Sequence, residues 1–142
     1  MSETMLVPID GSVPAERALR YAVATFPTAS ITTLYVVDPV ESVIASEAGG
    51  LSEAEAWYET ERERGTEIHD AAAEIAAEYG VELTAVTEVG RPAPTILDYC
   101  EEHGIDQIVM GSHGRTGIER AVLGSVAERV VRRSRKTVTV VR

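Results

Sequence analysis

Apolar positions along the chain follow two periods, and these predict a regular alternation of strands and helices. Short runs rich in β-branched residues predict five strands, at 4–10, 30–38, 81–89, 105–110 and 137–141. Between them, apolar residues recur every three or four positions, which predicts four helices, over 14–26, 52–79, 93–104 and 125–134. The segment 39–51 has little periodicity and contains glycine, so it is predicted to be a loop.

Capping residues support several of these boundaries. Ser12 is a predicted N-cap, with Pro14 in the first turn of the helix that follows. The sequence "SEAE" at 52–55 has the form of a capping box, and Gly80 is a natural residue to end that helix. His103, just before Gly104, suits a helix C-terminus, where positive charge is favoured.

Strict alternation of strands with helices predicts a doubly wound parallel α/β sheet, covered on both faces. We find no linker or repeat, so residues 1–142 are expected to form a single domain. Ligands of such sheets bind beyond the carboxyl ends of the strands. Two polar stretches are predicted to lie there: Asp10-Gly11-Ser12 after the first strand and 111–125 after the fourth.

Composition narrows the class of protein. Hydrophobic residues make up 44% of the chain and aromatic residues only 5%, so the core is expected to consist mainly of aliphatic side chains. The single cysteine, Cys100, cannot form an intramolecular disulfide and is expected to pack in the core. The first ten residues show no basic leader and no apolar run long enough to span a membrane. These features predict a soluble, cytoplasmic protein that does not bind membranes.

Charge is distributed unevenly. The net charge of -10 argues against a general nucleic-acid binder. Residues 41–88 contain 13 acidic residues and only two arginines. This acidic region is either a solvated helix face or an adaptation to the surroundings. Residues 111–142 contain eight basic residues and two acidic ones. The basic part is therefore the better candidate for binding an anion. An acidic chain with only one lysine, Lys136, is also typical of adaptation to high salt, and we hypothesise a halophilic source.

The segment "GSHGRTGIERAVLGS" at 111–125 is predicted to bind phosphate. Glycines let backbone N–H groups approach phosphate oxygens closely, and a helix N-terminus adds partial positive charge. Gly111 and Gly114 are predicted to follow a strand, and Gly124 with Ser125 to open a helix. The segment lacks the Gly-Lys-Ser/Thr ending of a P-loop. Arg115 and Arg120 are candidates for further charge at the ligand.

The spacing Gly-x2-Gly-x9-Gly-Ser resembles that of the universal stress protein family, in its ATP-binding subgroup. The resemblance extends over the chain through "VPIDGS", "LYVVD", "VGRP", "DQIVMGSHGRTGIERAVLGSVAERVVRRS" and "TVTVV". It implies a Rossmann-like fold, similar to that of the adenine nucleotide alpha hydrolases, with five parallel strands in the order 3-2-1-4-5. It also implies ATP, or AMP or ADP, at the switch point, with Mg²⁺ expected beside it, and a homodimer formed through the last strand at 137–141.

The resemblance further implies a set of binding residues. Asp10 would face the adenosine, Val36 would line the adenine pocket, and Met110 and Gly111 would lie by the ribose. The phosphates would be bound by Gly114, Gly124 and Ser125. The backbone amides of His113 and Val126 would also donate to them. Pro8 and Ile9 complete the expected site, although Pro8 near the end of a central strand requires the chain to be leaving the sheet there.

The sequence alone does not decide whether the site binds a ligand or catalyses a reaction. We expect a nucleotide-dependent sensor or regulator of the stress response, in which ATP hydrolysis is at most slow. The alternatives are an ATPase or phosphotransferase using His113 as base or phosphate acceptor, and a dimeric interaction protein without nucleotide. Asp10 is a candidate Mg²⁺ ligand as well as a ribose contact. Trp57 and Tyr58 are expected to pack or to cover the pocket mouth, and His69 to face solvent.

The halophilic hypothesis predicts that stability rises with salt. Screening of repulsion among the acids should raise the melting temperature between low and molar potassium chloride. A thermal melt followed by circular dichroism measures this. A melting temperature that stays constant over that range would contradict the hypothesis.

Overall fold

The computed structural model describes residues 3–114 and 123–142, except for the side chains at 41, 45, 46 and 48. Its five strands are β1 (Thr4–Pro8), β2 (Ser30–Val37), β3 (Leu83–Val89), β4 (Gln107–Gly111) and β5 (Thr137–Val141). The helices in the described ranges are α1 (Val13–Thr25), α2 (Val40–Gly49), α3 (Leu51–Glu78), α4 (Pro92–Glu102) and α5 (Ser125–Arg133). All strand pairs are parallel, in the order β3-β2-β1-β4-β5. The predicted fold is therefore confirmed.

Each face of the sheet carries its own apolar core. One core packs α1 and α3 against Met5, Val7 and Tyr35, and the other packs α4 and α5 against Leu6 and Leu34. Side chains of a strand point alternately to opposite faces, so the nearly continuous apolar runs of β1 and β2 supply both cores. The predicted inner face of α1 is buried, through Ala15, Ala18, Leu19, Ala22 and Val23. No helix in the described ranges combines the length and the low polarity needed to cross a bilayer.

The end of β1 explains how the sheet accommodates a proline. The strand ends at Pro8, two residues earlier than the predicted strand. The pairing of β1 with β4 reaches only Leu6, whereas the Ile9 amide still donates to the Leu34 carbonyl at 2.9 Å on the β2 side. Successive amides of a strand point in opposite directions, so the missing N–H of Pro8 falls on the side where pairing has already ended. The chain is leaving the sheet at this point, as Pro8 requires.

The predicted loop at 39–51 is wrong, because most of this segment forms α2. The Val40 amide donates to Asp38 Oδ1 at 3.0 Å, and the Ser42 hydroxyl donates to the Pro39 carbonyl at 2.6 Å, which stabilises the first turn. Val43 and Ile44 are exposed, so the helix lacks the contrast between an apolar and a polar face that periodicity detects.

The start of the long helix also differs from its prediction. Its N-cap is Gly50 rather than Ser52, and no side chain caps its first turn. Gly50 has a φ of 78°, a left-handed conformation that favours glycine. The predicted end is confirmed, because Gly80 has a φ of 71° directly after the last turn.

His69 on α3 does not face solvent as predicted. Its ring is half-buried and lies between two strands, with Nδ1 3.2 Å from Thr33 Oγ1 on β2 and Nε2 3.1 Å from Thr87 Oγ1 on β3. One turn earlier, Gly65 lets the ring of Tyr35 approach so closely that an added Cβ would lie 2.9 Å from Tyr35 Cδ2. These contacts fix α3 over β2 and β3.

Three further residues bear on the sequence predictions. Cys100 is buried in the core as expected, and burial raises the pKa of its thiol to about 12, which keeps it protonated and unreactive at neutral pH. His103 lies at the C-terminus of α4, where its ring stacks on Tyr99. Val131 follows the predicted helical spacing of α5 but is exposed, whereas Ala127 and Val130 are buried in the core and Val126 packs against it.

We expect His69 to make stability depend on pH. Burial lowers its pKa because the charged ring loses solvation, whereas the unfolded chain has the ordinary value near 6.5. The unfolded state therefore takes up the proton more readily, and stability should fall as the pH falls below about 6.5. Urea unfolding from about pH 7.5 to about pH 5 should show a flatter dependence for His69→Gln than for the natural chain. Parallel curves for the two proteins would contradict this assignment.

Candidate functional site

A cavity of about 310 Å³ opens at the carboxyl ends of the central strands. It lies where the strand order reverses between β2, β1 and β4, which is the usual ligand position in such sheets. All the predicted binding residues line it: Pro8, Ile9, Asp10, Val36, Met110, Gly111, His113, Gly114, Gly124, Ser125 and Val126. The fold thus brings together residues that are up to 118 positions apart in the sequence. Contact of these residues with a nucleotide remains a prediction.

The turn after β1 fixes the carboxylate of Asp10. Asp10 Oδ1 accepts a hydrogen bond from the Ser12 amide at 3.0 Å, across Gly11, whose φ of 82° favours glycine. Ser12 is the N-cap of α1, as predicted, because its hydroxyl accepts from the Ala15 amide at 3.3 Å. One short turn therefore both starts the helix and holds an acidic group at the cavity wall.

Gly111 has a structural reason to be glycine. It is the last residue of β4, rather than part of the loop after it, and a Cβ there would lie 2.6 Å from the backbone carbon of Pro14 and 2.9 Å from the Ala15 nitrogen. Backbone atoms cannot move aside as a flexible side chain can. Glycine at 111 is therefore needed for the close approach of β4 to α1.

The two ends of the glycine-rich loop are joined by a main-chain hydrogen bond. The Gly124 amide donates to the Ser112 carbonyl at 2.6 Å, and the Ser112 amide donates to the Val141 carbonyl at 2.9 Å. A Cβ at Gly124 would lie 3.0 Å from His113 Cα, so a side chain there would push the two ends apart. Gly114 differs, because among the described residues its Cβ would meet only the carboxylate of Asp10, with Oδ2 at 2.8 Å.

The N-terminus of α5 opens into this cavity. Its N-cap, Gly124, has no side chain to accept from the first amides of the helix, and Ser125, Val126 and Ala127 all line the cavity. The first amides of a helix have no carbonyl partner within the helix and carry its partial positive charge. An anion placed here can accept hydrogen bonds from them.

His113 lies between Gly111 and Gly114 in the sequence, and all three line the cavity. Its Nδ1 is 3.3 Å from the Ser112 hydroxyl oxygen, a contact that orients the ring. Arg115 and Arg120, the two predicted cationic contacts, lie outside the described residues.

One wall of the cavity consists of Tyr35 on β2 with Trp57 and Glu61 on α3. Tyr35 and Glu61 were not predicted to line the cavity, whereas Trp57 was expected to pack or to cover its mouth. Glu61 is only 6% exposed, and its Oε2 accepts a hydrogen bond from the Tyr35 hydroxyl at 2.6 Å. Trp57 and Glu61 are four residues apart on a helix and therefore share a face, which is the one signal in the sequence that links them. Trp57 is half-buried at the cavity, in agreement with its expected packing at the mouth.

The rim on the β2 side contains an ion pair. Asp38, which lines the cavity, lies 3.6 Å from the Nε of Arg91, which is the N-cap of α4. Arg91 is 64% exposed and Asp38 is partly exposed, so solvent screens the pair and it contributes little to stability. It does connect the end of β2 to the start of α4 across the cavity.

The described lining is acidic. Asp10, Asp38 and Glu61 contribute carboxylates, and no lysine or arginine from the described part of the chain lines the cavity. Within the same residues no group of three acidic, histidine or cysteine side chains is arranged to hold a metal ion. Backbone amides and the helix N-terminus are therefore the main features of the described lining that attract an anion.

Comparisons with known proteins agree with this fold. Universal stress protein YxiE of Bacillus subtilis is 34% identical over 148 residues, with 100% of both chains covered. Universal stress protein MJ0577 of Methanocaldococcus jannaschii is 31% identical over 157 residues, with 100% of this chain and 96% of the relative covered. The solved structure of MJ0577 has a TM-score of 0.82 at 32% identity, over 99% of this chain and 96% of that one.

A universal stress protein solved in complex with cAMP is also similar, with a TM-score of 0.66 over 99% of this chain and 96% of that one. Its identity is 23%, so the likeness shows the shared fold alone. The model of the universal stress protein family matches residues 1–142. Because the family model matches all of these residues and the chain is more than 30% identical to YxiE and to MJ0577, the chain belongs to the universal stress protein family.

Proposed function

We propose that this protein binds an adenine nucleotide in the cavity at the switch point and acts as a nucleotide-dependent sensor or regulator in the stress response. The observation that carries the proposal is the open N-terminus of α5, which faces the cavity beside Gly114 and Gly124. Residues 1–142 act as one domain in this proposal.

The phosphates are assigned to the amides of α5 and to the two glycines. Gly124 has no side chain to occupy the end of the helix, and Gly114 leaves open the space beside Asp10. The Ser125 hydroxyl and the amides of His113 and Val126 are the further expected donors. Glycine at 124 serves two purposes, because it closes the loop onto Ser112 and leaves the helix amides accessible.

The nucleoside is assigned to the part of the cavity nearer β1 and β2. Val36 offers an apolar surface for the base, together with Leu34, Ile96 and Met110 from the same side of the sheet. Asp10, held by the Ser12 amide, is expected to accept from a ribose hydroxyl. Apolar walls with a few oriented polar groups are typical of small-molecule sites.

The acidic lining favours a nucleotide accompanied by Mg²⁺. A triphosphate carries several negative charges and would share the cavity with the carboxylates of Asp10, Asp38 and Glu61. A divalent cation held by phosphate oxygens offsets that repulsion, and Mg²⁺ usually binds through substrate phosphates and few protein ligands. We therefore propose ATP with Mg²⁺ as the preferred ligand over AMP or ADP.

Two further proposals concern assembly and surroundings. β5 is an edge strand of the sheet, and an edge can pair with a second copy, so we propose a homodimer formed through 137–141. The acids of α3 support adaptation to salt in a cytoplasm of high ionic strength. Apart from Glu61, these acids are exposed: Glu53, Glu55, Glu59, Glu63, Glu67, Asp70, Glu74 and Glu78.

A second candidate function, slow ATP hydrolysis or phosphoryl transfer, rests on His113. Its ring lines the cavity next to the proposed phosphate site, with Nδ1 near the Ser112 hydroxyl, so it is positioned to move a proton. Among the described residues that line the cavity, no carboxylate is hydrogen-bonded to this ring to orient it as a base. We therefore assign His113 to ligand contact and treat catalysis as the alternative.

The phosphate assignment predicts the effect of Gly114→Val. The added side chain would enter the cavity beside Asp10, so the affinity for Mg-ATP should fall at least about tenfold, or about 1.4 kcal/mol. Isothermal titration calorimetry measures the affinity, and circular dichroism should show unchanged helix content. Adenosine, which lacks phosphates, is the matched control and should lose less affinity than ATP. Equal ATP affinity in the variant and the natural protein would mean that the phosphates bind elsewhere.

His113→Ala separates the two candidate functions. If His113 only contacts the ligand, ATP affinity should change by less than about tenfold and any ATP turnover should persist. Phosphate release assayed beside the calorimetric titration measures both quantities. Loss of a measurable turnover with affinity retained would instead favour the enzymatic alternative.

A further inference from the structure

An exposed apolar surface lies outside the cavity, on α2 and the first residue of α3. Nine large apolar side chains are exposed in the described part of the chain, and four of them fall within residues 40–51. These four form what we call the α2 surface: Val40, Val43 (57% exposed), Ile44 (62%) and Leu51 (77%). Single exposed apolar side chains are ordinary, whereas a concentration of them is typical of a protein-binding site.

The contact between α2 and α3 leaves these side chains open to solvent. Near the start of α2, the Ser42 and Tyr58 hydroxyl oxygens are 3.4 Å apart, and Ser42 is buried. Near its end, the Glu53 side chain occupies the space that a Cβ at Gly49 would need. The two helices are therefore antiparallel neighbours. α2 contacts α3 in part through polar groups and leaves its large apolar side chains exposed.

The surroundings of the α2 surface are acidic. Residues 39–61 contain six glutamates and no lysine or arginine. Glu47 lies one helical turn after Val43 on α2, and Glu55 lies one turn after Leu51 on α3. Both glutamates are exposed. Apolar side chains bordered by carboxylates are complementary to a partner whose apolar residues are bordered by positive charge.

This charge distinguishes between the possible classes of partner. Nucleic acids and anionic lipid surfaces carry negative charge, so the glutamates repel them. A second copy related by a two-fold axis would bring the same glutamates to the contact, and like charges disfavour that pairing. An amphipathic helix with Lys or Arg beside its apolar stripe satisfies both the apolar contacts and the charge.

We propose that the α2 surface docks an amphipathic helix of a partner protein, with Lys or Arg flanking the apolar stripe. The apolar side chains of that helix pack on Ile44 and Leu51, and its cations lie beside Glu47 and Glu55. The inference goes beyond the proposed function, because none of the four residues of the α2 surface lines the cavity. The position suits the output of a sensor, since α2 begins two residues after Asp38, which does line the cavity.

Fluorescence anisotropy with a labelled peptide tests the proposal. The probe is a synthetic helical peptide of Leu and Lys, with Leu at every third or fourth position, titrated with the whole 142-residue chain in about 0.1 M potassium chloride. A peptide of the same pattern with Glu in place of Lys is the control. The Leu–Lys peptide should bind at least about tenfold more tightly. Equal binding of the two peptides would overturn the inference.

The double variant Ile44→Ala, Leu51→Ala tests the apolar contact. It should weaken binding of the Leu–Lys peptide at least about fivefold, because the contact area is reduced. Both side chains are exposed, so circular dichroism should show the helix content of the natural protein. Val131→Ala truncates an exposed apolar side chain on α5 and should leave the affinity unchanged. Natural affinity in the double variant would mean that the peptide binds elsewhere, and the inference is then wrong.

The double variant Glu47→Gln, Glu55→Gln tests whether the attraction is local. It should weaken the same peptide at least about threefold. Glu67→Gln with Glu74→Gln removes equal charge from exposed positions farther along α3 and should have little effect, since the Debye length is about 10 Å at this salt concentration. Equal losses in the two double variants would show a response to net charge alone and contradict a docking site on α2.

Two further measurements exclude other sites and occupants. Saturating Mg-ATP should leave the peptide bound; displacement would place the peptide in the acidic cavity and overturn the inference. Sedimentation should show the same oligomeric state for the natural protein and for Ile44→Ala, Leu51→Ala. Loss of a dimer in that variant would identify a second copy as the occupant, against the proposal. If the natural protein binds no nucleotide, the proposed function fails, and the variants still decide the docking inference.

Discussion

The hydrogen bond from the Gly124 amide to the Ser112 carbonyl determines where the last helix begins relative to the sheet. Ser112 is itself tied to β5 through its amide, so this bond anchors the start of α5 to the edge of the sheet beside β4 and β5. The short N···O distance of 2.6 Å requires a residue without a side chain at 124, since a Cβ would press on His113. The same glycine leaves the first amides of α5 without a side-chain cap, facing the cavity. Glycine at 124 therefore allows the close packing of the loop and also leaves the helix N-terminus open to an anion.

The fold and the phosphate side of the site could be predicted because their signals are local. The strands and most helices have clear periods, and Gly114, Gly124 and Ser125 lie close together in a sequence whose spacing resembles a known family. α2 was missed because its apolar residues Val43 and Ile44 point to solvent and leave no amphipathic pattern. The contacts of its first turn with Asp38 Oδ1 and the Pro39 carbonyl become visible only in three dimensions.

Glu61, on the cavity wall formed by α3, could not be predicted for a different reason. Glu61 is one of 13 acids between 41 and 88, and nothing in the sequence distinguishes it from its exposed neighbours. Its burial depends on Tyr35 from another element and on Gly65, which lets that ring approach the helix. His69 was assigned to solvent for the same reason, although it contacts Thr33 and Thr87. Partners distant in sequence decide the role of a polar residue on a long helix.

The central claim is that the first amides of α5 bind the phosphates of a nucleotide. Backbone-amide NMR tests it most directly, through titration of the ¹⁵N-labelled protein with Mg-ATP and, separately, with adenosine. We predict large shifts for the amides of Ser125, Val126 and Ala127 with Mg-ATP, and much smaller shifts at these positions with adenosine. Saturating Mg-ATP that shifts other amides of the cavity but leaves these three unchanged would contradict the account.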